Sequence, residues 1–243
     1  MGRYKRVLIK LSGQAVSGDG DATFDASALE HLATEILSVH QTGVNVAVVI
    51  GGGNVFRGRD SGSWGIDRIE ADNIGMLGTV INSLLLRGKL NSLTGQRVRV
   101  MTAIPINSIA EPYVRLRAVN HLSKGEILIF ACGNGQPFQT TDYPAVQRAL
   151  EVDCDALLVG KHGVDGIYDS DPKKNVDARR FETISYGEVI DRRLEVMDHG
   201  AFVLAQQHRL PLHVFDVDQS GIMAAICRGE HHGTQVVNEL DTV

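Results

Sequence analysis

The sequence is short of basic charge, of long apolar runs and of cysteine. Against 24 lysines and arginines stand 29 aspartates and glutamates, a formal net charge of −5. A general nucleic-acid binder carries a basic face that displaces counterions from phosphates. Neither a basic excess nor a dense Lys/Arg run is present, so nucleic acid is not an expected partner. The longest apolar stretches, such as 44–50 and 127–132, fall far below the roughly 20 residues that span a bilayer. Residues 1–6 are basic but lack the apolar block and cleavage site of a signal peptide. The expectation is a cytoplasmic protein with no membrane partner. Cys132, Cys154 and Cys227 are widely separated with no CxxC spacing, which leaves no zinc or redox motif and reads as buried thiols. The histidines form no HExxH or comparable spacing, and no metal ligand is assigned. Neither GxxxxGK[ST] nor GxGxxG occurs, and there is no internal repeat or low-complexity tract.

What is present is an alternation. Val7-Leu8-Ile9-Lys10-Leu11 reads as a buried strand closed by Ser12-Gly13, and residues 25–41 carry apolar positions at helical spacing. Strands are expected at 44–50, 97–101, 126–131, 156–159, 212–217 and 234–237. Helices are expected at 69–93, 114–122, 142–150, 186–193, 201–208 and 220–228. Strands alternating with helices imply crossover connections, hence a mostly parallel sheet with helices on both faces, an α/β/α sandwich. One domain spanning 1–243 is expected. The charged segment 169–183, with Pro172, is the best candidate for an exposed loop.

In an open parallel sheet, ligands bind beyond the carboxyl ends of the strands. Four such ends here are rich in glycine: Ser12-Gly13, Gly51-Gly52-Gly53-Asn54, Gly133-Asn134-Gly135 and the segment 160–166. Glycine lets backbone amides come close to an anion, and several such loops at one sheet edge suit a ligand with several phosphates. The plainer reading, tight turns between buried strands, suffices for any one of them but less well for all four. Lys10, inside an apolar strand beside a glycine turn, can reach an oxyanion; alternatively it is an edge-strand lysine that reaches water. Lys161 sits in the same setting after its own strand. Two lysines entering one crevice suit phosphoryl transfer, which needs cations and amide donors more than covalent chemistry. Arg57 can fork onto a phosphate or stand exposed at a helix start. Asp72 and Asp142 lie near helix starts, where capping is the plainer role.

These loops resemble the amino acid kinase family and, within it, the bacterial branch that phosphorylates UMP. The resemblance runs from about Tyr4 to Glu239. It rests on YKRVLIKLSG (4–13), VVIGGGNVFRG (48–58), AEPYVRLRAVNHLSKG (110–125), PFQTTD (137–142), VDGIYDSDP (164–172) and LPLHVFDV (210–217). It implies the three-layer fold of that family and transfer of the γ-phosphoryl group of ATP to UMP, giving UDP for pyrimidine nucleotide synthesis, with Mg²⁺ arriving on ATP. Lys10, Leu11, Ser12 and Gly13 would lie along the ATP phosphates. Gly52 and Gly53 would contact acceptor and donor phosphates, and Arg57 would hold phosphate. Asp72 would receive the UMP ribose hydroxyls, while Gly133, Asn134, Gly135, Gln136, Pro137, Phe138, Gln139 and Thr140 would wrap UMP. His162, Tyr168 and Asp171 would line the ATP base and ribose pocket. A homohexamer and the effectors GTP and UTP are also implied, although the glycine-rich effector stretch of some members is poorly matched by residues 16–23.

The chain departs from the family pattern at Gln14, Ala71, Asn134, Gln136, Gln139 and His162. These positions touch the nucleotide pockets and leave the phosphate-facing residues in place. No catalytic base is required, because a phosphate monoester with a second pKa near 6 already presents an anionic oxygen. Two other readings remain open from sequence: a sister kinase acting on a carboxylate or carbamate, and a nucleotide- or oxoanion-binding storage or sensor protein on the same fold.

Overall fold

The computed structural model describes residues 2–18, 20, 22–172 and 174–238. Positions 19 and 21 of the segment 16–23, and Glu239, where the family resemblance ends, lie outside the described residues. In chain order, the first half comprises β1 (Arg6–Leu11), α1 (Gln14–Ser17), α2 (Ala26–Gln41), β2 (Asn45–Ile50), α3 (Ser61–Trp64), α4 (Arg68–Leu93), β3 (Val98–Thr102), β4 (Glu111–Pro112) and α5 (Arg115–Ser123). The second half comprises β5 (Ile127–Ala131), α6 (Asp142–Glu151), β6 (Ala156–Lys161), β7 (Thr183–Ser185), α7 (Tyr186–Asp191), α8 (His199–Gln207), β8 (Leu212–Asp216), α9 (Ile222–Arg228) and β9 (Thr234–Val237).

Among the described residues, nine strands form one sheet in the order β4-β3-β5-β2-β1-β6-β8-β9-β7. Only the β8–β9 pair is antiparallel. Side chains alternate across the pleat, so each central strand feeds two cores. Val7, Ile9, Leu11, Val48 and Ile129 pack with Leu32 and Ile36 of α2, Leu86 of α4 and Ile226 of α9. Leu8, Val49, Phe130 and Val159 pack on the opposite face with Ala118 of α5, Val146 of α6 and Phe202 of α8. This is the expected three-layer sandwich.

β1 is central, flanked by β2 and β6 in parallel register, with Lys10 opposite Val49 and Val159. The edge-strand reading of Lys10 is therefore overturned. α4 begins where the Asp67 carboxylate accepts the N–H groups of Ile69 and Glu70, so Asp72 sits in its second turn and does not cap it. β7 falls at the end of the stretch expected to be loop, and β4 and α1 were not foreseen.

One consequence of the packing is measurable. His213 of β8 is buried and shares a 2.7 Å hydrogen bond with the Tyr4 hydroxyl. Burial, aided by the charges of Arg3 and His231, pushes its pKa down to about 3. The folded state thus binds fewer protons than the unfolded chain below pH 6.5, and stability is lost as pH falls from there. Through this one group the loss is about 2 kcal/mol by pH 5. Urea unfolding at pH 7 and pH 5 should show that loss in the wild type and a smaller one in His213→Gln; equal losses would contradict it.

Candidate active site

The carboxyl ends of β1, β2 and β5 open on a cleft of about 370 Å³. Its lining includes Lys10, Ser12, Gly13, Gly52, Gly53, Arg57, Asp72, Gly133, Asn134, Gln136, Gln139, Thr140 and Asp142. Thirteen residues far apart in sequence meet because parallel strands end at the same edge of the sheet.

The glycines are required by close approach. A Cβ on Gly52 would lie 2.4 Å from the Gly75 carbonyl oxygen and 2.7 Å from the Thr79 nitrogen of α4. One on Gly13 would lie 2.4 Å from the Asn54 side-chain oxygen. The triple-glycine loop is held from below by fully buried Asn82, whose amide nitrogen donates to the Gly51 carbonyl (2.6 Å) and to Asn54 Oδ1 (2.7 Å). Thr79 Oγ1 accepts the Cys132 N–H at 2.8 Å, fixing the end of β5. Sequence reading missed both. Thr79, Asn82 and Ser83 are buried polar residues on the core-facing side of α4, and nothing local in the sequence marks them.

Lys10 is 6% exposed and makes an ion pair with Asp142, the first residue of α6. Asp142 therefore does not act as a helix cap. Its second oxygen accepts the Asp198 N–H at 3.1 Å. Thr140 Oγ1 donates to the Asp198 carboxylate at 2.5 Å and accepts the Asp142 N–H at 3.1 Å. Burial acts to raise the Asp142 pKa, but the ammonium of Lys10, the charge of Lys161 and the Asp198 N–H outweigh it and hold the carboxyl below its usual value. Lys161 is pushed down to about 8, chiefly by burial and then by Lys10, with Asp142 and Asp198 opposing. Its ammonium donates to the Val196 carbonyl, so it stands behind Lys10 and is not part of the cleft lining. The result is a buried cluster whose lysines are held in place by carboxylates and backbone, with Lys10 facing the cleft.

Arg57 is exposed at the cleft and donates from Nε to the Gly53 carbonyl at 2.9 Å. Asp72 accepts from Arg68 Nε at 2.9 Å and from the Phe138 N–H at 2.8 Å. Leu11 is wholly buried in the core. Gly135 faces Ala103 and Ile104, and neither it, Pro137 nor Phe138 lines the cleft. His162, Tyr168 and Asp171 also lie outside that lining. His162 Nδ1 lies 2.8 Å from the Asp218 carboxylate, the Tyr168 hydroxyl donates to Asp165 at 2.5 Å, and Asp171 pairs with Lys174 at 3.3 Å. No group of three or more His, Cys, Asp or Glu is placed to hold a metal ion, and no helix is long and apolar enough to cross a membrane, among the described residues.

A model of the amino acid kinase family matches residues 5–216. The chain belongs to the amino acid kinase family. Within that family it is 64% identical over 236 residues to a uridylate kinase of Frankia alni, covering 97% of this chain and 92% of that protein. It is 48% identical over 233 residues to the uridylate kinase of Xanthomonas oryzae pv. oryzae, covering 96% of each. The crystal structure of UMP kinase from Bacillus anthracis matches with a TM-score of 0.95 at 56% identity, over 98% of this chain and 97% of that one. UMP kinase from Ureaplasma parvum matches with a TM-score of 0.90 at 33% identity, over 97% and 100%. The nine-stranded sandwich is thus the amino acid kinase fold, and the Lys10–Asp142–Lys161 cluster is how this member of the family arranges charge at the ends of its central strands.

Proposed function

We propose that this chain is a kinase that transfers the γ-phosphoryl group of ATP to UMP, giving ADP and UDP. The observation that carries the reading is Lys10, buried in a central strand, paired with Asp142, and facing a cleft bounded by two glycine loops. Such a site offers oriented cations and amide donors where charge develops on the transferring group. The uridylate kinase relatives favour UMP over a carboxylate or carbamate acceptor, and favour turnover over storage.

In this reading Lys10 stabilises the transferring phosphoryl group, and Ser12, Gly13 and Gly53 take the ATP phosphates. Lys161 supports the charge balance around Asp142. Gly52 holds the acceptor phosphate, Arg57 holds phosphate on the donor side, Asp72 receives the ribose, and the 133–140 loop encloses UMP. His162, Tyr168 and Asp171 accommodate the adenosine end of ATP beyond the mouth of the cleft. Mg²⁺ enters as part of the MgATP substrate, its coordination sphere filled mainly by phosphate oxygens and waters. The enzyme serves pyrimidine nucleotide synthesis in the cytoplasm, with GTP and UTP as effectors. Leu77, Ile81 and Leu85, exposed in one row along α4, support assembly of copies into the homohexamer.

The reading is tested by supplying UMP and dUMP as acceptors. A buried partner left without its hydrogen bond costs about 1–3 kcal/mol, roughly 5- to 150-fold. The kcat/KM for dUMP should fall below that for UMP by a factor in that range, and the gap should close in Asp72→Ala. Equal values in the wild type would remove the ribose role of Asp72. Formation of neither UDP from UMP nor dUDP from dUMP would remove the kinase reading itself.

A further inference from the structure

The loop from 133 to 140 is held partly from within, by Asn134 Nδ2 donating to Gln139 Oε1 at 2.7 Å and the Gly135 N–H to the Cys132 carbonyl at 2.8 Å, and partly from α4. Cys132, Gly133, Gly135 and Phe138 all have positive φ, and Phe138, at +64°, is a bulky residue in a region that L side chains rarely adopt. Its ring is 64% exposed, so core packing does not pin it there. What meets the Phe138 backbone is Asp72, across the cleft on α4: the N–H donates to Asp72 Oδ2 at 2.8 Å. Asp72 is itself fixed from two sides. Arg68, one turn earlier on α4, places Nε 2.9 Å from both carboxylate oxygens. Gly58 forms the seat below, where a Cβ would come within 1.8 Å of Asp72 Oδ1. The Arg68 guanidinium also reaches over the Phe138 ring, 5.9 Å from its centroid, within the range of a cation–π contact.

An i,i+4 ion pair on a helix surface is ordinarily a minor local contact. This one differs because the carboxylate is only 10% exposed and bonded to a second element. We propose that Arg68 is a positioning residue for the acceptor nucleotide: it orients Asp72, and Asp72 latches the 133–140 loop to α4 through the Phe138 amide. The proposal rests on reading this cleft as the UMP site. Arg68 acts before UMP arrives, by setting the loop in its binding shape, so its loss is paid in acceptor affinity and not in the chemical step. With Arg68 absent, Asp72 is free to turn towards solvent, the Phe138 amide loses its acceptor, and the loop leaves its strained conformation.

The test uses Arg68→Met and Arg68→Lys in the full chain; the side chain is half-exposed in the first turn of α4, so folding should survive. Arg68→Met should raise KM for UMP about tenfold, the lower end of the range for a hydrogen bond to a charged group, with kcat and KM for ATP little changed. Arg68→Lys, which keeps the charge but not the planar fork, should fall between. Without any nucleotide, amide hydrogen exchange across 133–140 should quicken in Arg68→Met while β1 and α6 keep their protection. Unchanged exchange in that loop would overturn the latch even if KM rises, since Arg68 would then be touching UMP directly. Unchanged KM for UMP, in a wild type that makes UDP, would overturn it as well. A wild type that makes no UDP from UMP would instead overturn the reading of the cleft, and loop exchange would still judge the latch.

Discussion

Replacing Lys10 with methionine is expected to lower kcat for UDP formation by about 10²–10³-fold, the cost of losing one oriented donor to a developing anion. ATP binding should change far less, because Ser12, Gly13 and Gly53 still present backbone to the phosphates and the loops they belong to do not depend on Lys10. In the wild type Lys10 has two partners in prospect, Asp142 at rest and the transferring group during reaction. Methionine removes both. The double variant Lys10→Met/Asp142→Asn relieves the uncompensated carboxylate and should recover stability without recovering turnover. Rapid-quench measurement of UDP with saturating ATP and UMP, beside calorimetric titration of ATP, separates the two effects. A kcat restored in the double variant would mean that Lys10 serves only to neutralise Asp142.

Asp142→Ala should be the most destabilising of the substitutions considered. Removing one member of a buried ion pair leaves the other charge without compensation, at about 3–5 kcal/mol. Here it leaves Lys10 facing Lys161, which burial and Lys10 already push down to about 8. Losing Asp142, whose charge favours protonated Lys161, should move that value lower still. The sign with pH follows from the carboxyl being held below its ordinary value. Its contribution is complete above the pKa of the unfolded chain, about 3.9, and disappears as pH drops through the folded value. The stability gap between wild type and Asp142→Ala should therefore narrow as pH falls from 5 into stronger acid. Urea unfolding across that range measures it, and a gap that widens in acid would refute the assignment of Asp142 as an ionised partner.

How much of this was legible in the sequence depended on whether a signal was local. β1, β2, β5 and β6 are mostly apolar runs, broken in β1 by Lys10, and α2 and α6 show clear helical spacing, so their type and approximate bounds follow from the residues. β4 has two residues and β7 three, too few for any period to register, and their pairing is supplied by neighbours in the sheet. Lys10 stood out because a charge inside an apolar strand is costly. Its partner did not, since Asp142 lies far along the chain and looks locally like a helix cap. Asp198 and Asn82 were silent for the same reason: an aspartate before a short helix and an asparagine within a long one are ordinary until the fold shows what they face. The glycine loops indicated phosphate, but what joins α4 to the acceptor loop, Asp72 against the Phe138 amide and Arg68 over the Phe138 ring, shows only in the fold.

The most direct measurement follows the phosphorus atom. Purified protein is mixed with Mg²⁺, UMP and ATP labelled in its γ-phosphoryl group, and the products are separated. The account predicts label in the β-position of UDP, formed in step with ADP and dependent on UMP, with little released as free phosphate. Label that stays in protein-bound ATP, or that appears only as inorganic phosphate whether or not UMP is present, would contradict it.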